Sequence, residues 1–192
     1  MKAASIFRSF GICLFLLALM PVASSSAAQA TSNLAPNPSF EKGRKQVVNG
    51  WSPMDTNATF TWNKRDAYSG NRSVCISNVG TYSYTAWKTN EDIPVSQGTD
   101  YVFSAYAKGD FDGVVSLGIW AKDASGTITD FNRVPMSFNN STWTFTQTTY
   151  RPAPSTVAVR LDLGVEDTNA ATTTPSICFD SVSFEGFPYP MP

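Results

Sequence analysis

An all-β sandwich is the fold class that this 192-residue chain predicts. Runs of alternating polarity recur about every ten residues, turn-forming clusters separate them, and no window sustains a helical period. With 42% hydrophobic residues the chain can bury one sizeable core, and it is short for two. No repeat, charge block or low-complexity linker divides it.

Lys2 and Arg8 precede an apolar run from Ile12 to Met20, and small residues follow as far as Ala28-Gln29-Ala30. That is the layout of a secretory signal peptide over residues 1–30, and the run is too short to cross a bilayer. The expected mature chain starts at Thr31 and is secreted, to the extracellular space or a periplasm. Loss of Lys2 and Arg8 takes the 14 basic residues to 12, against 15 acidic, a net charge of −3. A mildly acidic chain without a basic run predicts neither a nucleic-acid nor a membrane partner, and a monomer is expected.

In the mature chain, Pro36 and Pro38 rule out a helix and leave an extended first strand, with Phe40 as its core anchor. Arg44 to Asn49 reads as a polar loop, Thr59 to Asn63 as a short strand, and Asp66 to Arg72 as a turn-rich stretch. Ser73 to Ser77 and Tyr82 to Lys88 are the next strands. From Asp100 to Asp123 two strands flank the turn Gly109-Asp110-Phe111-Asp112-Gly113 and read as a pair. Tyr101, Phe103, Ala105, Ala107, Val115, Leu117 and Ile119 give an apolar face, while Ser104, Tyr106, Ser116, Gly118 and Trp120 give a mixed one. Further strands are expected at Trp143 to Tyr150, Val157 to Val165 and Ile177 to Phe184. Residues 31–186 thus form one module, and 187–192 an extended tail.

The sequence has no histidine, which excludes the usual serine or cysteine triad and any His-ligated zinc or copper site. Neither a glycine-rich phosphate loop nor a Cys-x-x-Cys motif is present. Asp162 and Glu166 share a strand face about 13 Å apart, whereas glycosidase pairs need roughly 5 to 9.5 Å. A non-catalytic chain is therefore expected.

Binding is a better match to the residues. A sugar ring lays its apolar face on Trp or Tyr, and its hydroxyls need fixed donors and acceptors. Tyr106 and Trp120, with Arg160, Asp162 and Gln147, would supply both. Arg160 and Asp162 read either as an ion pair or as a polar clamp. Trp62, Tyr82, Tyr84 and Trp87 are further platforms or core residues, and Trp51 and Trp143 read as structural. Once Cys13 leaves with the signal peptide, Cys75 and Cys178 remain and are expected to form a disulfide, two buried thiols being the alternative. Glu41, the Gly43 carbonyl, the Ser69-Gly70-Asn71 turn and Asp180 are hard oxygen donors of the kind calcium takes.

Asn37 to Gly43 with Gly50-Trp51, Tyr68 to Val74, Ile93-Pro94-Val95 with Gly98, Tyr101 to Gly109, Trp143-Thr144 and Phe179 to Phe184 resemble, in order, the carbohydrate-binding modules of families 4, 9, 16 and 22. Those modules share a galactose-binding-domain-like β-jelly roll of two antiparallel sheets. The resemblance implies a structural calcium ion held by Glu41 and Asp180, with Gly43, Ser69 and Asn71 helping. It also implies a polysaccharide or oligosaccharide bound on a concave sheet face along Tyr106 and Trp120, and adjacent strands at Cys75 and Cys178. The chain departs from the pattern at Ser181, where an acidic residue often stands. An extracellular matrix or surface protein using the same face for a protein partner is the alternative, and a small glycan hydrolase or lyase a third reading.

Overall fold

Alternating polarity turns one side of each long strand inward. In the computed structural model, which describes residues 32–56, 58–80, 83–167 and 176–188, the described residues form thirteen strands and no helix. The first seven are β1 (Gly43–Arg44), β2 (Val47–Val48), β3 (Trp51–Pro53), β4 (Thr59–Asn63), β5 (Ser73–Ser77), β6 (Tyr84–Thr89) and β7 (Ile93–Pro94). The longer ones follow: β8 (Thr99–Asp110), β9 (Gly113–Lys122), β10 (Ile128–Pro135), β11 (Thr144–Tyr150), β12 (Ala158–Asp167) and β13 (Ser176–Pro188). The signal peptide, Tyr82, the loop 168–175 and residues 189–192 lie outside the described residues.

One sheet has the order β10-β9-β12-β6-β3, with β7 also pairing β12, and the other has the order β11-β8-β13-β5-β4. Every ladder is antiparallel. The expected sandwich is therefore the observed one. Its core holds Phe103 of β8, Leu117 and Ile119 of β9, Leu161 and Leu163 of β12, and Phe179 and Phe184 of β13. Each such side chain contributes roughly 1.5 to 3 kcal/mol when removed from water.

The central pair is where expectation and structure part. Strands β8 and β9 have the inward residues that the alternation predicts, yet they are not hydrogen-bonded to each other. Strand β8 pairs with β11 and β13, and β9 with β10 and β12. The turn after Asp110 carries the chain from one sheet to the other, so the two apolar sides meet the same core from opposite directions. Tyr106 and Trp120 consequently point outward on opposite faces of the sandwich and cannot line one site.

Other differences are local. Residues 34–40 are not a ladder strand, because Pro36 and Pro38 lack N–H donors. The segment instead bonds β13 irregularly, through Leu34 N–H to the Phe184 carbonyl (2.8 Å) and Val182 N–H to the Pro38 carbonyl (2.8 Å). Phe40 is the expected anchor, fully buried. The polar stretch read as a loop forms the β1–β2 hairpin, while β3 and β10 were not expected as strands. Cys75 and Cys178 face each other in register on β5 and β13 and form the expected disulfide. Trp51 is structural as expected, donating its indole N–H to the Pro36 carbonyl (2.7 Å).

Candidate functional site

On the outer face of the six-stranded sheet, side chains line up across strands. Phe131, Trp120 and Arg160 are register neighbours on β10, β9 and β12, and Gly118, Asp162 and Lys88 form the next row on β9, β12 and β6. The Trp120 ring stacks on Phe131 with centroids 3.9 Å apart and planes 19° apart. The indole also lines a cleft of about 130 Å³, with Met54, Lys88, Lys122, Ile128 and Arg160.

Two glycines make this arrangement possible. A Cβ on Gly118 would stand 2.1 Å from Asp162 Oδ1, and one on Gly164 would stand 2.2 Å from the Tyr84 hydroxyl. Asp162 can therefore lie across β9, fully buried. It accepts the Trp120 indole N–H (2.5 Å) on one oxygen and the Tyr84 O–H (2.8 Å) on the other. Burial pushes its carboxyl up to about 6, against the pull of both hydrogen bonds and the Arg133 charge. Burial and the neighbouring Asp162 charge likewise raise the Tyr84 phenol.

Arg133, Arg160 and Lys122 around it are paired with acids. The Arg133 guanidinium lies 4.8 Å from the centre of the Tyr84 ring and pairs with Glu166. Asp92 accepts from Arg160 Nε (2.6 Å) and from Lys122 Nζ (2.8 Å). Arg160 thus pairs with Asp92 rather than with Asp162. The result is one wall of fixed indole beside cationic donors, an arrangement that can hold a ring and its hydroxyls. Its carboxylates are already committed to hydrogen bonds or ion pairs and are poorly placed to move protons.

Of the expected site residues, Trp120, Arg160, Asp162 and Tyr84 share this face. Tyr106 and Gln147 lie on the other sheet, where Gln147 is opposite Ser104. There Tyr106 stacks on Tyr68 (3.6 Å between centroids) and meets Phe145 (5.1 Å). Trp87 belongs to the core: it is 1% exposed, meets Phe60 edge-on and donates its N–H to the Cys75 carbonyl (3.2 Å). Trp87 and Tyr84 are three residues apart on one strand, so they must face opposite ways. Phe131, Arg133, Lys88 and Lys122 were missed. On β10 the alternate positions Phe131 and Arg133 carried a signal that its polar neighbours obscured.

The expected calcium donors partly converge. Glu41 Oε1 accepts the backbone N–H groups of Asn71 (2.7 Å) and Arg72 (2.8 Å), while Asp180 Oδ2 accepts those of Tyr68 (2.7 Å) and Ser69 (2.8 Å). The two carboxylates grip one turn from either side. Burial, with a smaller contribution from the Glu41 charge, raises the Asp180 carboxyl to about 6. Two repelling carboxylates beside one turn are hard oxygen donors of the kind calcium takes. Among the described residues no three His, Cys, Asp or Glu side chains come together as a metal cluster. Gly43 packs on Trp62 and lines a different cleft.

Residues 32–172 match the family described as Carbohydrate binding domain (CBM 4/9). No curated protein matches the chain. Among solved structures the fold is similar to the CBM22-1 xylan-binding domain from Paenibacillus barcinonensis Xyn10C, at 16% identity and a TM-score of 0.57, covering 79% of this chain and 93% of that one. A CBM61 module in complex with beta-1,4-galactotriose is similar at 14% identity and a TM-score of 0.53, with 80% and 98% covered. The enzymatically active domain of bacteriophage CBA120 tailspike protein 4 has a TM-score of 0.60 at 17% identity. Of that longer protein this chain spans only 21% of the length, against 79% of its own.

Proposed function

From the premise that this chain belongs to the Carbohydrate binding domain family, we propose that it is a secreted, non-catalytic module that binds a polysaccharide or oligosaccharide on the outer face of the six-stranded sheet. The observation that carries the reading is the Trp120 ring, held by Phe131 and Asp162 in the lining of a cleft that also presents Lys88, Lys122 and Arg160. Stacking on the indole would hold the sugar ring, and the cationic side chains would donate to its hydroxyls. The absence of histidine from the sequence, and the commitment of Asp92, Asp162 and Glu166 to hydrogen bonds or ion pairs, support a binding role rather than hydrolysis.

Calcium is part of the proposal. Glu41 and Asp180 would hold it, with oxygens of Ser69 and Asn71 completing a hard donor set. The ion would relieve the repulsion between the carboxylates and fix the turn between them.

Affinity electrophoresis through gels containing xylan, mixed-linkage glucan, mannan or alginate tests the site. One polymer is expected to retard the wild type and the Tyr106→Ala variant but not Trp120→Ala. Retardation that survives Trp120→Ala and disappears with Tyr106→Ala would move the site to the Tyr68, Tyr106 and Phe145 cluster. No retardation by any polymer would favour a protein partner, for which that exposed cluster is the better surface.

A further inference from the structure

A second cleft, of about 240 Å³, lies where the β1–β2 hairpin meets β4 at the edge of the five-stranded sheet. Arg44, Lys45, Lys64 and Arg72 line it with Gly43, Gln46 and Trp62, and no acidic side chain among the described residues does. None of the four cations is in an ion pair with a described acid, although five other basic residues are. In a chain whose net charge is −1, four cations gathered around one cleft produce a local positive field that the overall charge conceals.

The cleft is built rather than incidental. Trp62 is 6% exposed and is fixed by its indole N–H to the Phe40 carbonyl (2.7 Å). The Arg72 guanidinium lies over that ring, 4.0 Å from its centre, in a cation–π contact. Its Nη1 is shielded from solvent yet has no acceptor among the described residues, a costly state for a charged donor unless a ligand or water meets it. Gln46 Oε1 accepts the backbone N–H of Trp62 (2.9 Å), which ties the hairpin to the free edge of β4. The hairpin turn places Lys45 and Gln46 at φ +50° and +68°, a conformation usually left to Asn-Gly. This strained turn keeps Lys45 in the lining of the cleft.

We infer that this cleft is a second binding site, which takes the anionic group of an acidic glycan, a uronate carboxylate or a sugar sulfate. The guanidinium groups of Arg44 and Arg72 match the two-oxygen geometry of either group, and Lys45 and Lys64 supply point charges around it. The volume suits a sugar unit rather than a bare oxoanion. This assignment takes its ligand class from family membership and is independent of the Trp120 face, which lies on the other sheet.

Titration calorimetry with polygalacturonate, a sulfated galactan and neutral xylan tests it, with inorganic sulfate as a control. Arg44→Gln/Lys64→Gln is expected to weaken binding of at least one acidic polymer by roughly tenfold or more, with xylan binding and the melting temperature unchanged. Trp120→Ala should leave acidic-polymer binding in place, and raising NaCl from about 0.05 to about 0.5 M should weaken it. The carboxylated and sulfated polymers tell the two anions apart. Inorganic sulfate binding as tightly as the polymers would overturn the glycan assignment. Acidic-polymer binding that ignores both the double variant and salt, or is lost with Trp120→Ala, would overturn the site. Loss of xylan binding alone in Trp120→Ala bears only on the other sheet.

Discussion

Asp162 lies beneath Trp120 and accepts its indole N–H across 2.5 Å, so the ring at the cleft is oriented by a carboxylate that solvent does not reach. The ring and its support come from β9 and β12, and Gly118 leaves the space between them.

The buried carboxylate predicts a pH dependence. Its acidity is shifted from the ordinary 3.8 up to about 6, so between those values the folded chain keeps a proton that the unfolded chain has released. The stability from that proton is complete below the lower value and is lost as pH rises toward the upper one. The melting temperature should therefore fall between about pH 4 and about pH 6.5, and Asp162→Asn should flatten part of the slope. Asp180, shifted the same way, retains the rest. An unchanged slope in Asp162→Asn would count against this account of its burial.

Gly118→Ala and Gly164→Ala are expected to destabilise the fold by roughly 1 to 3 kcal/mol in urea titration, because each added methyl meets Asp162 or the Tyr84 hydroxyl at van der Waals overlap. Gly126→Ala is the control, since its Cβ would meet nothing within 4 Å. Its left-handed φ of +84° makes it a measure of backbone strain alone. Losses at Gly118 and Gly164 no larger than at Gly126 would mean that the neighbouring side chains simply move aside.

Cys75→Ser/Cys178→Ser opens a cross-link between residues 103 apart. The chain-entropy model gives a loss of about 4 to 5 kcal/mol. The far-ultraviolet spectrum should stay that of a β-sheet at low temperature, because the β5–β13 ladder does not depend on the bond for its register. A melting temperature equal to the wild type's would refute the estimate.

Chelation should lower the melting temperature and added calcium restore it, with no such response in Glu41→Ala. Protons compete for Asp180, whose carboxyl is raised to about 6, so calcium affinity should strengthen as pH rises through that value. A wild-type melting curve indifferent to both reagents would remove calcium from the proposal.

Alternation told which side of each long strand faces the core, and it was right along β8, β9 and β12. It could not tell which strand pairs with which, since a turn between sheets and a turn within one sheet both use Gly, Asp and Phe in a short polar stretch. That is why Tyr106 and Trp120 were read as neighbours. Strand parity alone sets Trp87 opposite to Tyr84, on the core side of β6. Asp162 was legible as a site-face residue but not as a buried one, since its burial depends on Gly118 of the neighbouring β9 and on Gly164 of its own strand, which admits the Tyr84 hydroxyl. The basic cleft was hidden for a related reason: Arg44 and Lys45, Lys64, and Arg72 come from three separate stretches that only the fold brings together.

The Cys75–Cys178 bond also closes most of the molecule into a covalent ring. Strands β6 through β12 lie entirely within it, so one cut in the peptide chain anywhere between the two cysteines leaves the fragments attached. A protease nick in that span would appear as two fragments on a reducing gel and as one full-length species without reductant. The basic cleft is built from β1, β2, β4 and the turn ending at Arg72, all N-terminal to the ring. A single cut between Val48 and Trp51 would leave the β1–β2 hairpin without a covalent tie to the ring, while β3 and Met54 of the aromatic cleft stay joined to it.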